Sequence, residues 1–122
     1  MNFAKIQYFR SHEFASPDLP GSGDHMQIEF IEKLVQARRM ANMPFKITSG
    51  YRTPEHNKKV GGVKNSAHTK GLAADIRTRN GRERYVILNA LMKAGFKRFG
   101  IAKRFIHVDL DKSKREMTTW LY

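Results

Sequence analysis

Between Ser66 and Asp75 the chain sets a histidine, His68, and a carboxylate, Asp75, seven positions apart, with Gly71 between them. Side chains on one helical face recur three or four residues apart, so no single helix presents both. The spacing predicts a loop that delivers His68, a turn at Gly71, and a strand that carries Asp75. A second histidine, His107, lies in the alternating stretch from Arg104 to Leu110. There Phe105 and His107 share one strand face, and Ile106 and Val108 share the other. One imidazole from a loop, with a carboxylate and an imidazole from strands, makes a set of three nitrogen and oxygen ligands. That is the number a catalytic zinc uses when it keeps its fourth position for water. Metal-dependent hydrolysis is the candidate chemistry.

At 122 residues the chain is expected to form one domain, residues 1–122, around a single core. A hydrophobic content of 40% and an aromatic content of 11% exclude a disordered tail. There is no cysteine, which rules out disulfides and thiolate metal sites, so any metal must be held by His, Asp, Glu or backbone oxygen. The residues from Met1 to Arg10 lack the apolar run of a signal peptide, and no later stretch could span a bilayer. The expectation is a protein made soluble in the cytoplasm, which something else must deliver if its substrate lies outside. The formal charge of +12 reads either as a solvated basic surface or as attraction to a polyanion. No arginine-rich arm, zinc-finger spacing or RNP-type motif accompanies it, so no specific nucleic-acid partner is expected.

A loop rich in turn formers spans residues 16–24, and Asp24 followed by Gln27 resembles a capping box. Residues 27–41 place Ile28, Ile31, Leu34 and Val35 on one helical face, and Asn42 and Pro44 end the helix. Residues 45–49 alternate as a short strand. Thr53, Pro54 and Glu55 form an N-cap, a first-turn proline and an acidic first turn, in a short helix closed by Gly61 and Gly62. A loop over 61–70 leads to a buried strand at 72–77, and Asn80-Gly81 marks a turn. A second long helix over 82–94 puts Val86, Leu88, Leu91 and Met92 on its apolar face and stops at Gly95. Strands follow near 98–101 and 105–110, and Thr118 to Tyr122 suits an edge strand with Trp120 as a core or lid residue. The fold class is α+β: a small, mostly antiparallel sheet packed with two main helices.

Of the five histidines, His12 and His25 lie in polar loops and read as surface residues. His56 suits the surface or a substrate contact equally. A lone loop or strand histidine is more often structural than a ligand, so His68 and His107 gain weight only together with Asp75. Three blocks then carry a resemblance: Ser49 to Asn57 around Tyr51 and Arg52, Val60 to Asp75, and Phe99 to Asp109. They resemble the M15 family of zinc D-Ala-D-Ala carboxypeptidase-type peptidases, most closely its short M15A-like members, which share the hedgehog/DD-peptidase fold. The central block matches the pattern S-x-H-x-x-G-x-A-x-D at five positions within ten residues.

The resemblance implies that His68, Asp75 and His107 bind Zn2+, that Arg52 meets a substrate carboxylate or carbonyl, and that Ser66 helps hold the peptide near the metal. It also implies peptidoglycan stem peptides as substrates, with the basic charge suited to an anionic cell envelope. A monomer acting on the wall after release or delivery, as a phage-type endolysin does, fits these expectations. Arg52 could instead serve a structural salt bridge, and Ser66 a loop-capping hydroxyl. The family pattern fails in one place. Relatives carry an acid three residues before the last zinc histidine, or a second histidine two before it, where this chain has Arg104 and Phe105. The nearest acid, Asp109, takes the catalytic assignment: it could accept the proton, or it could orient His107. Asp111 and Glu55 are more remote. A zinc site without a base leaves a second reading open, a non-catalytic zinc-containing module that binds wall or another protein. Charge alone suggests a third, nucleic-acid binding.

Overall fold

A computed structural model describes residues 1–122. Helices α1 (Ile28–Ala41) and α3 (Gly81–Lys93) pack on one another. Their buried faces, Phe30, Ile31, Leu34 and Ala37 on α1 and Ile87, Ala90 and Leu91 on α3, join Ala74, Ile76, Ile106 and Val108 of the sheet in one apolar cluster. Both helices have the expected period, but each buried face is rotated from its expected centre. Ile28 is 47% exposed in the first turn of α1, and Met92 is 50% exposed near the end of α3.

The helix starts also differ from expectation. Asp24 does not cap α1: its carboxylate accepts from Ser11 Oγ at 2.7 Å, inside a separate 3-10 turn at Ser22–His25. The helix begins after Gln27, whose side chain makes no capping bond. Asn80-Gly81 is a helix start rather than a free turn, because Asn80 Oδ1 accepts from Glu83 N at 2.9 Å and caps α3. In the short helix α2 (Pro54–Lys59) the expected cap is present: Thr53 Oγ1 accepts from His56 N at 3.0 Å. Asn42 closes α1 in the left-handed conformation, φ 52°.

The sheet contains β1 (Ile47–Ser49), β2 (Ala73–Arg77), β3 (Arg98–Ile101), β4 (Phe105–Asp109) and β5 (Thr118–Leu121), in the order β1-β2-β4-β3-β5. All neighbours are antiparallel except β3 and β5, which run parallel. The α+β class with a mostly antiparallel sheet and two main helices is therefore observed. Register decides what the sheet presents. Ser49 pairs with Asp75, Asp75 with His107, His107 with Gly100, and Gly100 with Trp120. One transverse row thus crosses all five strands on a single face, because directly paired residues point the same way. The opposite face carries Ile76, Ile106 and Val108 into the core.

Gly100 is the narrow point of that row. A Cβ there would stand 2.6 Å from Tyr122 Cε2 and closer still to Trp120 Nε1. Only glycine lets the two aromatic residues of the C-terminal segment lie over β3 toward His107, whose ring centroid is 5.5 Å from that of Trp120. Gly100→Ala is expected to displace β5 at a cost of about 1–3 kcal/mol. Because Trp120 is the only tryptophan, a changed indole emission in the folded variant, beside a lowered thermal midpoint, checks this directly.

Candidate metal centre

His68 is delivered by a 3-10 turn, Ala67–Lys70, built from local hydrogen bonds. Ser66 Oγ accepts from His68 N at 3.2 Å, and the Ser66 carbonyl accepts from Thr69 N at 3.0 Å and Thr69 Oγ1 at 2.7 Å. Ser66 is thus a capping residue that fixes the histidine's backbone, although it also lines the cleft described below. Gly71 ends the turn with φ 71°, a conformation that disfavours other residues. A Cβ there would also lie 3.0 Å from Met26 Cα. The turn is tied to the Gly50–Arg52 segment twice: Arg52 N donates to the His68 carbonyl at 3.1 Å, and His68 Nδ1 meets the Gly50 carbonyl at 2.7 Å.

A carbonyl can only accept, so Nδ1 of His68 carries the hydrogen and Nε2 faces the centre. That Nε2 lies 3.2 Å from Asp75 Oδ1, and His107 Nδ1 lies 3.0 Å from the same oxygen. The ligand atoms of His68, Asp75 and His107 fall within 4.8 Å of one another, and all three residues are buried. Imidazole lone pairs and a carboxylate oxygen at such separations repel unless a proton or a cation lies among them. The donor set of two imidazoles and one carboxylate suits a divalent metal of the zinc type.

The surroundings fix the remaining atoms. Asp75 Oδ2 is held by Arg52 Nη2 at 3.4 Å, while Arg52 Nε donates to Ser49 Oγ at 3.0 Å and Nη1 to Asn57 Oδ1 at 3.2 Å. Burial pushes the Asp75 carboxyl up, but His107 and His68, facing it with a proton among them, outweigh burial and keep the group well below the usual carboxylate range. His107 Nε2 meets Asp109 Oδ2 at 2.8 Å. Burial pushes the His107 imidazole down, yet Asp109 and Asp75 raise it above its ordinary value. A field that draws a proton onto His107 also favours a metal cation beside it, so the residues present fit the group. With Nδ1 turned to the centre, the Nε2 hydrogen donates to Asp109, the second-sphere pairing that fixes a ligand's tautomer and orientation.

Asp109 is fully engaged. Besides His107, its Oδ1 accepts from Arg98 Nε at 2.8 Å and from Asp111 N at 3.1 Å. Arg98 in turn lies over the Trp120 ring, 4.9 Å from its centroid. Of the two roles open to Asp109, the geometry is that of orienting His107, because none of its oxygens is left facing the cleft without a partner. Asp111 buries its carboxylate against Lys70 Nζ at 2.9 Å and Ser113 Oγ at 2.6 Å, which ties the His68 turn to the chain beyond β4.

The three candidate ligands sit in a cleft of about 680 Å³ that Arg52, Ser66 and Asp109 also line. The expected site residues are therefore brought together. His56 and Glu55 line a separate depression with Pro17 and Asp18, and His12 and His25 are exposed. Sequence reasoning missed Ser49, Asn57 and Arg98, which act on the ligands through Arg52 and Asp109, and it did not place Tyr122 in the cleft wall. Only strand register exposes Arg98, because its distance from Asp109 in sequence is uninformative until β3 and β4 are paired.

Two outcomes test this scaffold. Asp109→Asn is expected to weaken divalent-metal binding by about 10–100-fold, read by competition with a coloured chelator. Asp111 adds an acid limb. Burial raises its carboxyl, but Ser113 and Lys70 hold it well below the ordinary range. A depressed folded pKa gives stability that is complete above the unfolded value, about 3.9, and is lost as pH falls below it. Asp111→Asn should therefore lower stability at pH 7 by about 1–3 kcal/mol and flatten the loss below pH ~4, both measured by denaturant titration.

No helix is long and apolar enough to cross a membrane. A search among curated proteins returns no match. The family model described as Peptidase M15 matches residues 7–109, a span that holds the whole His68–Asp75–His107 cluster and stops before β5. The match covers most of the chain, and the chain belongs to the M15 peptidase family.

Proposed function

We propose that this protein is a zinc-dependent peptidase that hydrolyses D-amino-acid-containing amide bonds in peptidoglycan peptides, in the manner of a wall-lysing endolysin. The observation that carries the reading is the buried cluster of His68, Asp75 and His107, with ligand atoms within 4.8 Å, in the wall of an open cleft in an M15 chain. Bound zinc would supply Lewis acidity toward an amide carbonyl and would acidify a water for attack near neutral pH. His68, Asp75 and His107 would hold the ion. Asp109 keeps the His107 ring turned toward it, and Arg52 keeps Asp75 from rotating away.

Arg52 has further capacity. Three of its five N–H groups are used by Ser49, Asn57 and Asp75. The remaining two are available to a substrate carbonyl or terminal carboxylate, which a planar guanidinium recognises well. Phe105, Trp120 and Tyr122 form the aromatic side of the cleft and would seat the peptide against it. The formal charge of +12 supports adhesion to an anionic envelope. The protein would act there as a monomer after release or delivery.

One observation favours a second reading. No carboxylate in the cleft is left free to serve as a base: Asp75 faces the metal position and Asp109 is held by His107, Arg98 and the Asp111 amide. A zinc-containing module that binds wall without cutting it would need no base. The two readings part on turnover. The peptidase, loaded with zinc, should release peptide fragments from peptidoglycan, stop with a chelator, and recover with added zinc, and His68→Ala and His107→Ala should both abolish release. Arg52→Lys should lower kcat/KM by about tenfold or more, since an ammonium cannot hold Ser49, Asn57 and Asp75 together. Wild-type protein that binds walls of several chemistries stoichiometrically and releases nothing would establish the binding module instead.

A further inference from the structure

Beside the metal cleft lies a second cavity of about 580 Å³, and Gly62 lines both. Its walls come from α2 and the loop that follows, with Asn57, Lys58, Lys64, Asn65 and Thr69 facing in. Pro54 is the one apolar side chain among the lining residues, and none is acidic. Lys58 and Lys64, like Lys59 and Lys103 and unlike Lys70, Lys97, Lys112 and Lys114, meet no carboxylate of this chain. Two uncompensated ammonium groups, two side-chain amides and a hydroxyl therefore bound a space with no counter-charge of its own.

The bay is preformed. Asn57 Nδ2 donates to the Val63 carbonyl at 2.9 Å and Gly62 N to the Asn57 carbonyl at 2.8 Å, while Gly61 and Asn65 turn the loop with φ of 75° and 64°. Gly62 is also where the two cavities meet. A Cβ there would collide with Asn57 Oδ1 and stand 3.1 Å from Arg52 Nη1, so the glycine lets those two side chains pack beneath the junction. Because the cavities share this wall residue, a ligand lying along the metal cleft can continue past Arg52 into the bay.

We infer that this bay is an anionic subsite: it binds a free carboxylate carried on the arm of the substrate peptide that extends from the cleft past Gly62. The inference rests on the peptidase reading for the identity of the peptide, and the lysines act by charge, as compact donors with no fixed fork. It adds a specificity determinant to a cleft whose ligand cluster, by itself, recognises only an amide bond. Peptides that bear a carboxylate at this position are favoured over their amidated counterparts.

The test uses the full-length, zinc-loaded protein and two synthetic wall peptides that differ only in a free carboxylate or an amide on that arm. Wild type should show a KM lower by about fivefold for the acid peptide, as expected for pairs between exposed charges. Lys58→Gln/Lys64→Gln should raise KM for the acid peptide until the preference disappears, with zinc content equal to wild type. Lys103→Gln, which removes a charge in the turn between β3 and β4, should keep the preference. Equal preference in wild type and the double variant overturns the subsite. Calorimetric binding of both peptides separates this from failure of the peptidase reading. If neither peptide is cut but the acid peptide binds through Lys58 and Lys64, the subsite stands and the peptidase falls. If binding too is indifferent to the two lysines, the subsite falls.

Discussion

The direct pairing of Asp75 with His107 across β2 and β4 is the contact on which the centre depends. Paired residues of antiparallel strands project from the same face with Cβ atoms about 4.5–5.5 Å apart, so register alone brings a carboxylate and an imidazole into reach of one ion. A slip of β2 by one residue would turn Asp75 into the core and bring Ile76 out, leaving the carboxylate and His107 on opposite faces. Ile76 and Ile106 are themselves paired and fully buried, so the core that stabilises the sheet also enforces the register that builds the site. Stability and ligand geometry share one cause. The same row extends to Ser49, which holds Arg52, and through Gly100 to Trp120, so the wall of the cleft inherits its position from the strand pairing.

His68 is the exception, because it comes from a turn outside the sheet. Its precision is supplied by short-range bonds: Ser66 at the backbone, Gly50 at Nδ1, and Arg52 N at its carbonyl. Two of those partners belong to the segment that also carries the guanidinium on Asp75. Arg52 therefore acts twice, through its amide on the His68 loop and through its side chain on the neighbouring ligand. This gives a physical reason for finding the Ser49–Arg52 and Ser66–Asp75 blocks in one chain, since each is needed to place the other's functional group.

Much of this was legible in the residues, and the failures have definite causes. His68, Gly71 and Asp75 announce a turn and a strand because each obeys a local rule, and the alternation around His107 names its face without any partner. Asp109 could be placed beside His107 for the same reason, being two residues along one strand. Its role could not be read that way, because the deciding partner is Arg98, which arrives through β3. Asp24 looked like a helix cap, but Ser11, thirteen residues earlier, takes its carboxylate. Ile28 and Met92 fit a helical stripe, yet the stripe's centre is set by what packs against it, and Phe30 and Ile87 occupy that position. The parallel pairing of β5 with β3 left no local trace, as it depends on the segment after β4 stepping past the start of β3 to its far edge.

A chain of net charge +12 should repel a divalent cation, so the centre has to work against the long-range field. At physiological ionic strength, charges farther than about 8 Å are largely screened, whereas buried neighbours are not. The near field is set by Asp75 and Asp109: the Asp75 carboxyl stays well below the ordinary range and that of Asp109 is lowered, although burial pushes each of them up. Arg52 and Arg98 do not cancel them, because each guanidinium is bonded to the carboxylate oxygen that faces away from the triad: Arg52 to Oδ2 of Asp75, and Arg98 to Oδ1 of Asp109. The oxygens that touch the imidazoles, Oδ1 of Asp75 and Oδ2 of Asp109, keep their charge directed inward. The arginines thus satisfy and orient the acids from behind without neutralising the side that matters. The same sign of charge can cover the outside of the protein and still leave, at the bottom of the cleft, a cluster able to hold a cation.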